Sequence, residues 1–106
     1  MAKELSDINF IETIYKTQTE KTLIVVFVAD MSSSSVVMLN YLEKIQTENE
    51  KFSVFYCNID SNPTVRKQEN LQIVPSVGVF RNGKRENLIE KFFTPQEFLV
   101  FLQNIK

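Results

Sequence analysis

The sequence predicts an α/β fold with a central mixed β-sheet flanked by helices on both faces. Three observations carry this. Leu23-Ile24-Val25-Val26-Phe27-Val28-Ala29 and Phe52-Ser53-Val54-Phe55-Tyr56-Cys57 are apolar runs rich in β-branched and aromatic residues, the pattern of strands buried on both faces. Stretches with helical spacing precede and separate them. Asn82-Gly83 lies between two further strand-like stretches and is the strongest hairpin signal in the chain. At 106 residues and 43% hydrophobic, the chain is the size of a single domain, predicted over 1–106.

The elements follow in order. Ser6-Asp7 offers a helix cap, and Ile8, Ile11 and Ile14, with Phe10 and Tyr15, predict a first helix over about Asp7 to Gln18. The run Leu23–Ala29 is the first long strand. Val36, Val37, Leu39, Leu42 and Ile45 predict a helix over about Ser34 to Glu48. Phe52–Cys57 is the next strand. Asn58-Ile59-Asp60-Ser61-Asn62-Pro63 has loop chemistry, and Pro63 suits the first turn of a short helix to about Asn70. Ser76–Arg81 and Glu86–Phe92 are predicted to pair antiparallel across Asn82-Gly83. Thr94-Pro95-Gln96-Glu97 matches a capping box, with Phe98, Leu99, Leu102 and Ile105 forming the apolar face of a closing helix. A short extra strand is predicted at Lys3–Leu5.

Charge and composition narrow the function. The formal net charge is −1 and the 12 Lys and Arg are spread along the chain, which argues against a nucleic-acid surface or a polybasic membrane contact. No apolar run reaches the roughly 18 residues of a membrane span. Met1-Ala2-Lys3-Glu4 leads into no apolar signal region, so a cytoplasmic location is expected. With one cysteine, Cys57, no internal disulfide can form. With no histidine, Ser-His and Cys-His catalytic pairs and His-based zinc sites are absent, and no metal or cofactor is expected.

Four segments, in this order and at this length, resemble the thioredoxin family. Val25-Val26-Phe27-Val28-Ala29-Asp30-Met31 resembles the strand leading into Trp-Cys-Gly-Pro-Cys. Asn58–Pro63 resembles the loop after the next strand. Ile73-Val74-Pro75-Ser76 resembles the Ile-x-Pro-Thr segment with its cis-proline. Val79-Phe80-Arg81-Asn82-Gly83-Lys84 resembles the Phe-Lys-Asn-Gly hairpin. The resemblance covers essentially the whole chain and implies the thioredoxin fold.

The implied active site departs from the family. Ser32 and Ser35 stand at the positions of the two cysteines, Ser33-Ser34 replace Gly-Pro, and Met31 replaces the tryptophan. Val26 stands where the family has a buried aspartate that assists proton transfer. Tyr56 falls where some members place a lysine, Asn40 replaces a helix-kinking proline, and the glycine expected near Lys91 or Phe92 is missing. Disulfide exchange needs an attacking thiolate and a second thiol to release the mixed disulfide. A helix N-terminus lowers a thiol pKa but cannot make serine do this work. No catalytic residue is therefore assigned.

The residue types also allow plainer readings. The four serines can serve as a helix N-terminus, since serine is a favoured cap. Cys57 suits a small buried hydrophobe. The resemblance implies a cis bond before Pro75 and a groove that binds extended peptide through the backbone of Val74, lined by Met31, Ser33, Ser34, Val74, Pro75 and Phe92. The expected function is a redox-inactive thioredoxin-like module binding a protein or peptide beside Pro75. The alternative is a dithiol or monothiol disulfide oxidoreductase of cell redox homeostasis with serine in place of active-site cysteine. Only that alternative implies thioredoxin reductase or glutathione as partners.

Overall fold

Every residue of Thr22–Val28 is buried, and this strand organises the molecule. Side chains alternate across a strand. Leu23, Val25 and Phe27 therefore pack on one face with Leu5, Phe10, Ile14 and Val65. Ile24, Val26 and Val28 pack on the other with Met38, Leu42, Val54 and Val77. Each such side chain withdrawn from water contributes about 1.5–3 kcal/mol, so both faces must be covered.

The computed structural model describes residues 3–30, 33–48, 51–91 and 94–104. The strands are β1 (Lys3–Leu5), β2 (Thr22–Val28), β3 (Phe52–Asn58), β4 (Ser76–Arg81) and β5 (Lys84–Ile89). The helices are α1 (Ser33–Glu48), α2 (Pro63–Glu69) and α3 (Pro95–Gln103), with a π-helical turn at Ile11–Tyr15. The sheet order is β1-β3-β2-β4-β5. β1 and β2 run parallel to β3, whereas β4 is antiparallel to β2 and to β5. Phe10, Ile14 and Val65 bring the π turn and α2 to one face. Met38, Leu42 and Phe101 bring α1 and α3 to the other. This is the mixed, two-sided sheet the sequence predicts, including the strand at Lys3–Leu5.

Two boundaries differ from expectation. The predicted helix over Asp7–Gln18 is a turn followed by the π-helical segment, closed by the Lys16 N–H donating to the Ile11 carbonyl at 3.1 Å. Ile8, assigned to its apolar face, is 92% exposed. Asn9 Oδ1 instead accepts from the Ser6 N–H at 2.8 Å and holds a tight turn there. The last strand begins at Lys84, not Glu86, and ends at Ile89, short of Phe92. The cause is a two-residue turn: Asn82 and Gly83 both have positive φ, so Arg81 pairs at once with Lys84. At Gly83 a Cβ would also lie 2.7 Å from the Tyr15 carbonyl oxygen.

Candidate functional site

Parallel strands place their following loops at one end of the sheet, and ligands of open α/β sheets bind there. Here that end is built from the segments after Leu5, Val28 and Asn58 and the one before Ser76. The loops are tied together by side-chain amides and carboxylates. Asn58 Nδ2 donates to Asp30 Oδ1, and the Asp30 N–H donates to Asp60 Oδ2 at 2.9 Å. The Asp60 N–H in turn donates to Asn58 Oδ1 at 2.9 Å. Asn62 Nδ2 donates to the Asn58 carbonyl at 2.9 Å, and Asn62 Oδ1 accepts from the Asp7 N–H at 2.8 Å. Asp30 therefore leads into α1 from a fixed position.

The first turn of α1 is formed by the backbone of Ser33, Ser34 and Ser35. Met31, Ser32 and Phe92 lie outside the described residues, as do the side chains of Ser33–Ser35. After the serines come two apolar side chains in water, Val36 at 59% and Val37 at 37% exposure.

The segment before β4 approaches from the other side. Its Val74–Pro75 peptide bond is cis. Ile73 is 55% exposed, while Val74 is partly buried against the core. Ser76 pairs with Phe27, which sets this segment beside the end of β2. Ser76 is fully buried, and its hydroxyl has no hydrogen-bond partner among the described residues. From the end of β5, Glu90 Oε2 accepts from the Ile73 N–H at 2.9 Å and the Gln72 N–H at 3.2 Å.

The chemistry of this end is that of hydrogen bonding and apolar contact. Cys57 lies within β3 with no exposure, in register with Leu5 and Phe27. Burial foremost, with help from Asp7 and Glu4, pushes its thiol up to about 12, so it stays protonated near neutrality. Val26 is also fully buried, level with Tyr56 on one side and Val77 on the other. Among the described residues, no group of three or more His, Cys, Asp or Glu is arranged to hold a metal ion. No described helix is long and apolar enough to cross a membrane.

Two acidic residues escape sequence reasoning. Glu90 grips a loop some 17 residues away in the chain, and no spacing rule signals that. Glu69, at the end of α2, is 2% exposed; its Oε1 lies 3.2 Å from Arg85 and its Oε2 accepts from the Tyr15 hydroxyl at 2.8 Å. Burial, followed by this bond to Glu69, holds the Tyr15 hydroxyl above its usual range. These groups lie at the opposite end of the sheet. There a cleft of about 560 Å³ runs between Tyr15–Glu20 and the Asn82-Gly83 turn, and it contains none of the candidate site residues.

Comparison with known proteins agrees with this architecture. A family model described as Thioredoxin matches residues 1–104. A thioredoxin of Rickettsia bellii is 28% identical over 88 residues, which are 82% of this chain and 82% of that protein. The crystal structure of thioredoxin f2 from Chlamydomonas reinhardtii superposes with a TM-score of 0.85 at 16% identity, over 99% of this chain and 97% of that one. At that identity the likeness speaks for the fold.

Proposed function

The chain belongs to the thioredoxin family, and from that premise we propose that it is a peptide- or protein-binding module of the family without dithiol chemistry. One observation carries the reading. The sequence holds one cysteine, and Cys57 is fully buried in β3 with its thiol pushed up to about 12. Exchange requires an accessible thiolate and a resolving thiol, and this chain supplies neither. Serine at 32 and 35 leaves the helix start as a set of hydrogen-bonding groups.

The binding half of the proposal is supported by what remains at that end. Val36 and Ile73 expose apolar surface on α1 and on the segment before Pro75. Val74, next to Ile73 in the chain, packs partly against the core, and the Ile73 N–H before it is held by Glu90. An extended segment of another protein would lie against Val74, with apolar side chains meeting Met31, Ile73 and Phe92. A cytoplasmic location belongs to the same reading.

The test is reduction of insulin by the unaltered full chain in the presence of dithiothreitol. The expected outcome is a precipitation rate equal to that of dithiothreitol alone. A clear acceleration would end the proposal.

A further inference from the structure

We propose that the groove selects extended peptides that carry lysine or arginine beside an apolar residue, with Glu90 as the specificity-determining residue. This rests on the binding reading above and names the ligand class of the same site.

The inference starts from the geometry of Glu90. One oxygen of its carboxylate accepts two main-chain N–H groups, at 2.9 and 3.2 Å, from the residues just before Val74. The carboxylate is thereby fixed beside the stretch of backbone where the ligand would run. Its Oε1 has no hydrogen-bond partner among the described residues. The adjacent cation, Lys91, is drawn to Glu97 of α3 at 3.0 Å. Asp30 and Asp60, neighbours after β2 and β3, stand at the same end of the sheet. The ligand therefore meets a fixed carboxylate beside the exposed Ile73 side chain, at an end of the sheet that carries further negative charge. A cationic residue beside an apolar one complements both features, whereas an acidic residue would face like charge. Rim charges of this kind act through partner choice and weaken with salt.

The experiment uses the full chain, isotope-labelled for NMR, and three fluorescein-labelled ten-residue peptides that alternate valine with lysine, glutamine or glutamate. The lysine peptide is expected to shift the Gln72, Ile73 and Val74 amides. It should bind about fivefold more tightly than the glutamine peptide at low salt, with the preference shrinking as salt is added. The glutamate peptide should bind most weakly. E90Q keeps an acceptor oxygen for the loop but removes the charge, so it should shrink the ratio of lysine-peptide to glutamine-peptide affinity towards one. Equal binding of all three peptides at these amides would overturn the charge selection and leave the binding module standing. Failure of every peptide to bind would overturn the binding reading and this inference with it. The comparison of peptides on the unaltered chain decides the matter even if E90Q folds poorly.

Discussion

At the scale of single residues, the decisive positions are Val26 and Cys57. Val26 is fully buried among Ile24, Met38, Leu42 and Val77. An ionised carboxylate there would lack a partner, and burying one costs several kcal/mol. V26D should therefore lower stability by about 3 kcal/mol or more at pH 7. Burial would raise the new carboxyl's pKa, so the deficit against the native chain should be smaller at pH 4 than at pH 7. Urea unfolding at the two pH values measures this, and a loss below about 1 kcal/mol would mean the site can solvate a charge. Cys57 gives a second expectation. Its thiol ionises near 12 when folded but near 8.5 when unfolded. The stabilisation from keeping it protonated is complete below about pH 8.5 and lost as pH rises towards 12. A thiol reagent at pH 8 should label the native chain negligibly and the urea-unfolded chain at once. Burial of Cys57 was legible from its strand and neighbours. The Ser76 hydroxyl, without a hydrogen-bond partner among the described residues, was not, because Ser76 looks like any polar residue at a strand start.

At the scale of elements, strands were more legible than caps. A two-sided apolar run such as Leu23–Ala29 contains its own explanation, since both faces must be covered. The capping box of α3 is equally local: the Glu97 N–H donates to Thr94 Oγ1 at 3.2 Å and the Thr94 N–H to Glu97 Oε1 at 3.1 Å. Lys91, then Thr94, holds the Glu97 carboxyl below its usual range. The start of α2 is different. Asn62 precedes it but makes no capping bond. The cap comes from Asp7, whose carboxylate accepts from the Val65 N–H at 2.9 Å and the Thr64 N–H at 3.3 Å. The sequence points to Asp7 as a cap for its own helix, yet that helix is the short π turn and Asp7 serves α2 across the fold. D7A should cost about 1–2 kcal/mol, and D7N, which keeps an acceptor, noticeably less. Thermal unfolding reads the cost, and faster hydrogen exchange at the Val65 amide locates it. No change in Val65 exchange would show that the cap is dispensable.

At the scale of the whole molecule, the proposed binding site and a buried anchor lie at opposite ends of β2 and β4. The end proposed to bind, where Phe27 meets Ser76, carries Val74, Pro75 and Glu90. The other end, where Leu23 meets Phe80, is closed by Glu69, which joins three elements through a single carboxylate. Arg85 of β5 donates to Glu69 Oε1 at 3.2 Å and to the Glu69 carbonyl at 2.8 Å, while Tyr15 of the π turn donates to Oε2 at 2.8 Å. None of this is visible in the sequence, where Glu69 sits in a short polar helix and its partners lie 16 and 54 residues away. A carboxylate that is 2% exposed persists because it is paired. R85A leaves it with neutral donors alone. The Arg85 side chain is itself 32% exposed, so water offsets part of the loss. The expected cost is then about 2–3 kcal/mol, below that of breaking a fully buried pair. Between the two ends runs the paired stretch of β2 and β4, and sites well separated with no shared partner usually respond independently. R85A should therefore lower the urea midpoint yet leave the affinity for the lysine peptide unchanged, while E90Q should lower that affinity with a smaller loss of midpoint. Measuring both properties for both variants gives a two-by-two comparison. Loss of peptide affinity in R85A, under conditions where it is fully folded, would show that the two ends are coupled through the sheet.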